Sequence, residues 1–373
     1  MSMPEASAVQ PFTIPNPAPT PGLTTVRPAH DPLVDALAPR VLSLGGVVGE
    51  KFPAFTIGAR LQGRSVLYDT DLTRDEIGEV LETSARLKAL RKAGKPHGYL
   101  AGKTLGMVFQ HPSTRTRVAF EAGMAQLGGQ AIFLGVNDLQ MKRGETIADT
   151  AQVLGRYVDG IVARVALHSD LERMAAASSI PVLNGLTDRG HPMQALSDLL
   201  TLQERFGGLA GLKLAYLGDG NNVAHSLLLS GAAMGLSVSV ACPAGYEPDP
   251  EVVNQASWLA AASGAGNRVE VTADPFAAAA ADAVYTDVPD SMGHNDGAAR
   301  AVALAPYKVT KAVMAAAKPK AVFMHCLPMH RDEEVEAAVA DGPQSIIFDQ
   351  AENRLHLHKG ILLHTLCSTP RGF

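Results

Sequence analysis

The sequence contains few of the features that mark exported, membrane-spanning or nucleic-acid-binding proteins. Its three cysteines, Cys242, Cys326 and Cys367, are too few and too scattered for a disulfide framework, and no CxxC pair indicates zinc or redox chemistry. No run approaches the ~18 apolar residues of a membrane span, and the N-terminus has no charged segment followed by an apolar one. The net charge of −5 and the lack of a Lys/Arg block argue against nucleic acid or a membrane as partner. These absences predict a cytoplasmic protein whose ligands are small molecules.

What is present indicates a folded protein behind a proline-rich start. The 373 residues are 46% hydrophobic, which is enough for two ordinary domains with separate cores. Prolines crowd the first forty residues, so residues 1–60 are predicted to be a Pro-rich N-terminal extension. From Asp71 the pattern DLTRDEIGEVLETSARLKAL predicts an amphipathic helix with Ile77, Val80 and Leu81 on its apolar side.

Short apolar runs then alternate with helical patterns, as in parallel sheets wound with helices. The predicted fold class is therefore α/β, with two doubly wound parallel-sheet domains joined by interdomain helices. The glycine-rich stretch RFGGLAGLK at 205–213 follows a strong helical pattern and is predicted to separate the two domains. A cleft between such domains is a favoured place for a small-molecule site.

Polar residues follow most of the apolar runs. TLGMVF leads into QHPSTRTR, GIVA into Arg164, PVL into Asn184, KLAYL into GDGNN, AVYT into Asp287 and AVFM into His325. In open α/β sheets the ligand lies beyond the carboxyl ends of the strands. We therefore expect these strand ends to converge on one site.

The run QHPSTRTRVAF at 110–120 places hydroxyls and guanidinium groups between a predicted strand and a predicted helix. Ser113 or Thr114 alone explains a helix cap, but a cap leaves the other donors unexplained. A helix N-terminus presents unpaired N–H groups and a partial positive charge, and Arg115 and Arg117 add to both. The pattern therefore favours an anion site suited to phosphate.

Two further patterns add donors for the same anion. HPMQ opens a helix and places His191 and Gln194 in its first turn, where helix capping is the alternative role. Arg164 and Arg354 each stand beside apolar sequence and are unlikely to be buried without an anionic partner. With Arg115 and Arg117 they make four candidate arginines for one doubly charged ligand.

A dinucleotide-binding site is one interpretation of the run GDGNNVAHS at 218–226, because its glycines follow a predicted strand and precede a predicted helix. The fingerprint fails at Val223, where a third glycine belongs, and the next strand ends at Cys242 without an acid for a ribose. Asn221 and Asn222 then remain as ligands for a carboxylate or carbonyl, or as turn residues.

Two interpretations suit the run MHCLPMHRDEE at 324–334, a thiol nucleophile or a metal site, and both fit the sequence poorly. Adjacent residues at a strand end point to opposite faces, so His325 is badly placed to activate Cys326, and no second ligand pair has zinc-like spacing. A buried structural cysteine is the alternative. Asp287, at the end of another strand, is expected to approach Cys326 from the side.

Together these motifs resemble the ornithine carbamoyltransferases, within the wider carbamoyltransferase family. The matching runs span nearly everything from Asp71 to Leu366: HPSTRTRVAFEAGMAQLGG, RGETIADTAQVLGRYVDGIVAR, NGLTDRGHPMQALSDLLTLQE, LGDGNNVAHSLL, SMG, HCLP and DQAENRLH. The STRTR run marks the wider family, and HCLP with SMG narrows the resemblance to the ornithine branch.

The resemblance implies a domain for each substrate and a transferase of arginine metabolism. Residues 61–205 with a C-terminal helix at 351–373 would bind carbamoyl phosphate, and residues 206–350 would bind ornithine. Including Arg117 from the residue pattern, the implied carbamoyl phosphate site is Ser113, Thr114, Arg115, Thr116, Arg117, Gln140, Arg164, His191, Gln194, Cys326, Leu327 and Arg354. The implied ornithine site is Asn222, Asp287, Ser291 and Met292, and the catalytic residues are Arg115, His191, Asp287, Cys326 and Arg354.

The resemblance also implies a homotrimer in which Gln140 reaches the site of a neighbouring subunit. The implied reaction is attack of a neutral amine on the carbamoyl carbon, with no metal or organic cofactor. Preorganised donors would stabilise the oxyanion, and Asp287 with Cys326 would position the amine and take its proton.

One loop departs from the family pattern. Where ornithine enzymes usually show DVWVSMG this chain has DVPDSMG, with Pro289 and Asp290. A stiffer loop with an extra carboxylate leaves open another acceptor, such as lysine, putrescine or acetylated ornithine. A binding protein that has lost catalysis is a further alternative, against which the retained Cys326, Asp287 and Arg354 argue.

Overall fold

The computed structural model describes residues 41–44, 55–289 and 297–367. Strands β1 (Val41–Leu44) and β2 (Phe55–Gly58) form a small antiparallel sheet with Val41 opposite Gly58. Part of the segment predicted as an extension therefore has regular structure. Ile57 of β2 is buried in the main hydrophobic core, which ties this strand to the folded body.

Nine further strands form two parallel sheets. Their bounds are β3 Thr104–Phe109, β4 Gln130–Gly135, β5 Gly160–Arg164, β6 Val182–Leu186, β7 Lys213–Leu217, β8 Ser237–Ala241, β9 Val269–Thr272, β10 Ala283–Thr286 and β11 Val322–His325. The first sheet has the order β4-β3-β5-β6 and the second has the order β11-β10-β7-β8-β9. All neighbours in both sheets are parallel, as predicted from the alternating pattern.

The helices connect and cover these strands. Their bounds are α1 Arg74–Lys92, α2 Thr114–Gln126, α3 Ile147–Leu154, α4 His168–Ala177, α5 Pro192–Phe206, α6 Asn222–Ala233, α7 Pro250–Ser263, α8 Gly297–Leu304, α9 Lys311–Ala316, α10 Ala337–Ala340 and α11 Ile347–Leu366. Within the described ranges, no helix is both long and apolar enough to cross a membrane.

The first long helix begins where its sequence provides a cap. Thr73 Oγ1 accepts a hydrogen bond from the Glu76 backbone N–H, and the Glu76 carboxylate accepts one from the Thr73 backbone N–H. This reciprocal pair satisfies two of the free N–H groups of the first turn. Ile77, Val80 and Leu81 are all fully buried, as the amphipathic pattern predicts.

The C-terminal helix returns the chain to the helices around the first sheet. α11 runs from Ile347 to Leu366 and contacts α1, α2 and α5, and residues 368–373 of the predicted C-terminal helix lie outside the described residues. The helix carries unusually many buried polar side chains, among them Gln350, Asn353 and Arg354. Burial of polar groups is costly unless they are hydrogen-bonded, so this helix must find partners on its neighbours.

A buried carboxylate connects the turn before α1 to α6. Asp69 lies in a short 3-10 turn, Asp69–Asp71, and accepts hydrogen bonds from the hydroxyls of Ser226 at 2.7 Å and Ser230 at 2.8 Å. Burial raises the pKa of Asp69 from 3.8 to about 6, against the lowering effect of the two serine hydrogen bonds.

This raised pKa predicts a specific dependence of stability on pH. The folded state holds the Asp69 proton more tightly than the unfolded chain, so the contribution of Asp69 to stability is full below pH 3.8 and is lost as pH rises through about 6. We therefore expect the stability of Asp69→Asn, relative to the parent protein, to increase from pH 4 to pH 7 by at most about 3 kcal/mol. Denaturant unfolding at several pH values measures this difference. The exposed Asp75→Asn is the control, and an equal difference at every pH would contradict the prediction.

Candidate active site

A cavity of about 120 Å³ lies where the predicted strand ends converge. This volume suits one small ligand, since a water molecule in the liquid takes about 30 Å³. Its wall includes the last residues of β5 and β6 and residues that follow β3 in the first sheet, and residues that follow β10 and β11 in the second. The lining residues are Ser113, Arg115, Thr116, Arg164, Leu186, His191, Gln194, Asn222, Val223, Asp287, Val288, Cys326, Leu327, Pro328 and Arg354.

The start of α2 contributes the hydroxyls and one guanidinium group. Ser113 is the N-cap, and its Oγ accepts a hydrogen bond from the Thr116 backbone N–H at 3.3 Å. Ser113, Arg115 and Thr116 all line the cavity, so the N-terminal end of α2, with its unpaired N–H groups and positive dipole end, lies at the wall. Arg115 reaches across the cavity and donates to the Leu327 carbonyl oxygen, which ties α2 to the segment after β11.

Three arginines face the cavity, and their surroundings leave their charges poorly solvated. Burial and, second, the charge of Arg115 lower the pKa of Arg164 and of Arg354 to about 10. Arg164 Nε is buried and has no hydrogen-bond partner among the described residues. Against these three positive charges, the described residues of the lining include one carboxylate, Asp287. An excess of two positive charges and a free buried donor favour a doubly charged anion.

Arg354 is held by side chains from two helices of the first half of the chain. It is 3% exposed, and its Nη2 donates to Thr116 Oγ1 at 3.0 Å while Nη1 donates to Gln194 Oε1. The guanidinium group is therefore fixed before any ligand binds, which lowers the entropy lost on binding.

His191 is kept neutral by its environment. Burial, followed by the charges of Arg354 and Arg164, holds the pKa of His191 well below its ordinary value of 6.5. Its backbone N–H donates to Ser226 Oγ at 2.8 Å, and its Nδ1 is buried without a partner among the described residues. A neutral imidazole offers one N–H donor without adding a further positive charge to the arginine cluster.

The second half of the chain brings a carboxylate and a thiol together. Cys326 Sγ donates to Asp287 Oδ1 at 2.9 Å, and Asn221 Nδ2 donates to Asp287 Oδ2 at 3.0 Å. Burial and the neighbouring Asp287 raise the pKa of the Cys326 thiol well above its ordinary value, so the sulfur is protonated near neutral pH. The His325 ring bonds elsewhere, since its Nε2 lies 3.1 Å from Glu334 and its Nδ1 accepts from the Leu327 backbone N–H. One of its ring nitrogens nevertheless lies within 4.8 Å of Cys326 Sγ and of an Asp287 carboxylate oxygen.

Two family models match the chain in succession. The carbamoyl-P binding domain of the aspartate/ornithine carbamoyltransferases matches residues 64–204, and their Asp/Orn binding domain matches residues 210–365. The chain belongs to the aspartate/ornithine carbamoyltransferase family. Known members of this family are similar to this chain along most of their own length.

Individual relatives are similar to this chain both in sequence and in structure. The ornithine carbamoyltransferase of Thermococcus kodakarensis is 52% identical over 304 residues, covering 81% of this chain and 96% of the relative. The anabolic ornithine carbamoyltransferase of Pyrococcus furiosus is also 52% identical, with the same shares covered. A solved structure of the Pyrococcus furiosus ornithine carbamoyltransferase superposes with a TM-score of 0.79 at 51% identity, covering 82% of this chain and 98% of that one.

Most residues that the carbamoyltransferase resemblance implied lie together in the cavity wall. Asn222 is among them: its Nδ2 donates to the Thr187 carbonyl oxygen at 2.6 Å, while its Oδ1 is buried without a partner among the described residues. Ser291 and Met292, also predicted to bind ornithine, lie outside the described residues, as does Asp290.

Three predicted ligands of carbamoyl phosphate do not line this cavity. Arg117 is directed elsewhere, because its Nε pairs with Glu121 at 3.0 Å and its guanidinium group lies 3.7 Å from the centre of the Phe133 ring. Residues two apart on a helix do not share a face, so Arg115 and Arg117 diverge. The side chain of Thr114 is exposed, and Gln140 is exposed in a short 3-10 turn away from the wall.

Sequence reasoning missed the apolar part of the wall. Leu186, Val223, Val288 and Pro328 line the cavity beside the polar groups. In the sequence, Val223 is notable because it stands where the dinucleotide-binding fingerprint has its third glycine. Val223, Val288 and Pro328 each directly follow a predicted site residue, and this adjacency is the signal that could have indicated them.

Proposed function

We propose that the protein transfers the carbamoyl group of carbamoyl phosphate to the side-chain amine of L-ornithine, giving L-citrulline and phosphate. The observation that carries the proposal is the meeting, in one cavity, of three arginines and a neutral histidine with the Asp287–Cys326 pair. The first set suits a doubly charged acyl phosphate and the second suits an amine. The ornithine carbamoyltransferases among the relatives support this choice of substrates.

We assign one substrate to each half of the chain. Residues 61–205 with the C-terminal helix would bind carbamoyl phosphate, and residues 206–350 would bind ornithine. The ranges of the two family models and the distribution of arginines support this division. The phosphate would lie at the N-terminus of α2, where Ser113, Arg115 and the backbone N–H groups converge.

The chemistry is a direct displacement at the carbamoyl carbon. The amine nitrogen forms a bond to this carbon, the carbonyl oxygen gains negative charge, and the bond to the phosphate oxygen then breaks. Arg115, Thr116 and His191 would donate to the developing oxyanion, and their preorganisation supplies most of the rate enhancement expected for such a step. Arg164 and Arg354 would stabilise the departing phosphate.

The amine must lose a proton, since its reference pKa lies near 10.4. Asp287, held by Asn221 and by the Val288 backbone N–H at 2.8 Å, would accept this proton or hold the nitrogen while the proton leaves. The protonated Cys326 thiol between the two substrate regions would position the amine without competing as a nucleophile.

We further propose a cytoplasmic homotrimer with sites shared between subunits. Gln140 is exposed and outside its own cavity, which leaves it available to a neighbouring subunit. Cys242 and Cys326 are free thiols, in keeping with a reducing compartment. Sedimentation of the full chain would test the trimer, and a monomer with full activity would overturn it.

The activity predicts phosphate release that requires both substrates. The purified full chain with carbamoyl phosphate and L-ornithine should release one phosphate per citrulline, and either substrate alone should give only the background rate. The same assay with lysine, putrescine and acetylated ornithine tests the acceptor. Activity with one of these and none with ornithine would overturn the ornithine assignment but keep the reaction class, whereas no turnover with any amine would overturn both.

A further inference from the structure

A buried carboxylate behind the cavity holds the side chain of Gln194. Asp198 lies one turn further along α5, is 0% exposed, and forms no part of the cavity wall. Its Oδ1 accepts from Gln194 Nε2 and from Gln350 Nε2, both at 2.8 Å, and its Oδ2 accepts from the Tyr285 hydroxyl at 3.0 Å. All three neighbours are therefore donors towards Asp198.

This arrangement fixes which end of the Gln194 amide faces the cavity. An amide has one donor end and one acceptor end, so a constraint on either end determines the other. Asp198 accepts a hydrogen bond from the NH2 end of the amide, and Arg354, which can only donate, donates to Oε1 at the other end. The two neighbours impose the same orientation, and Gln194 presents its oxygen to the cavity. A carbonyl oxygen has two lone pairs, so this atom can accept a second hydrogen bond from a ligand.

The Asp198 carboxylate is also linked to the ends of β10 and β11, which are followed by the proposed amine-binding residues Asp287 and Cys326. Gln350 bonds Asp198 through Nε2, and its Oε1 accepts from the His325 backbone N–H at 2.9 Å, next to Cys326. Tyr285 stands two residues before Asp287 in the same chain segment. One buried group thus holds elements of both substrate regions in register.

We propose that Asp198 is a positioning residue that keeps the Gln194 oxygen directed at the ligand, so that the cavity prefers an acyl phosphate carrying an NH2 group to one carrying a methyl group. The inference rests on the proposed function and adds the residue that sets its selectivity. A site that offers a buried acceptor discriminates strongly against a ligand that lacks the matching donor, because the acceptor is then left without its partner.

Binding of two unreactive analogues tests the proposal. Phosphonoacetamide keeps the NH2 group of carbamoyl phosphate, and acetonylphosphonate carries a methyl group in its place. By calorimetry the full chain should bind the amide more tightly. In Asp198→Leu, which keeps the branched shape but removes both acceptor oxygens, the Gln194 NH2 end loses its partner and Arg354 alone still orients the amide. The ratio of the two affinities should then fall by ~10-fold or more towards one. In Asp198→Asn, which can still accept from Gln194 and Gln350, we expect most of the preference to remain.

The control is Thr201→Val on the same helix. Thr201 is also buried, but it bonds Asn353 and not Gln194, so the ratio should stay at the parent value. Should Asp198→Leu fail to fold, Asp198→Ala carries the same expectation with a smaller side chain. An unchanged ratio, or an equal loss of affinity for both analogues, would show a merely structural role and overturn the proposal. If the parent protein binds neither analogue, the proposed function itself fails.

Discussion

Replacing Arg115 by alanine should lower kcat for citrulline formation by at least ~100-fold, the scale of a lost oxyanion donor. Arg115 lies at the start of α2, lines the cavity and spans it to the Leu327 carbonyl oxygen. Its charge would act both on the carbonyl oxygen and on the phosphate, so kcat/KM for carbamoyl phosphate should fall further than kcat. Steady-state kinetics with both substrates varied measures both effects.

Arg117→Ala is the matched control, two residues along the same helix. Its guanidinium group is paired with Glu121 and stacked on Phe133, outside the cavity of its own chain. We expect kcat within about threefold of the parent value, the range of ordinary surface substitutions. Equal losses in the two variants would contradict the assignment of Arg115 alone to the site. Near-normal turnover of Arg115→Ala would refute its role in stabilising the oxyanion.

Replacing Asp287 by asparagine should lower kcat by ~100-fold to 10,000-fold, the range for a lost acid–base group. The asparagine keeps the shape but cannot take a proton, and it loses one acceptor for Asn221 or Cys326. The KM for carbamoyl phosphate should change only a few fold, since the arginine cluster is left intact. This split between kcat and KM separates a chemical role from a general loss of structure.

Asp282→Asn provides the control at the opposite end of β10. Asp282 accepts from the Lys213 backbone N–H at 2.9 Å and pairs with Lys318, so it stabilises the strand without reaching the cavity. We expect this variant to lose some thermal stability and to keep its kcat. A large loss of kcat here, or a large rise in the KM for carbamoyl phosphate in Asp287→Asn, would count against the proposed division of roles.

Local patterns predicted the elements that depend on neighbouring residues. The α1 helix, the cap at Ser113 and the turn at His191 follow from residues within one or two helical turns. Convergence of the strand ends also followed, because parallel strands end at the same edge of a sheet. The spacing of Arg115 and Arg117 on a helix indicates that the two side chains diverge, and the predicted role of Arg117 in the site stays a prediction, since it does not line the cavity of its own chain.

Hydrophobic periodicity and capping are properties of short segments, so the residue pattern was enough to predict the two parallel α/β sheets and the types of donor at their strand ends. The residue pattern did not reveal which of those donors share one cavity, that His191 is neutral, or that Arg354 takes the oxygen end of the Gln194 amide. These properties depend on burial and on hydrogen bonds between distant segments, which set charge states and orientations. The bonds from Tyr285 and Gln350 to Asp198 exist only when three parts of the chain, α5, β10 and α11, meet.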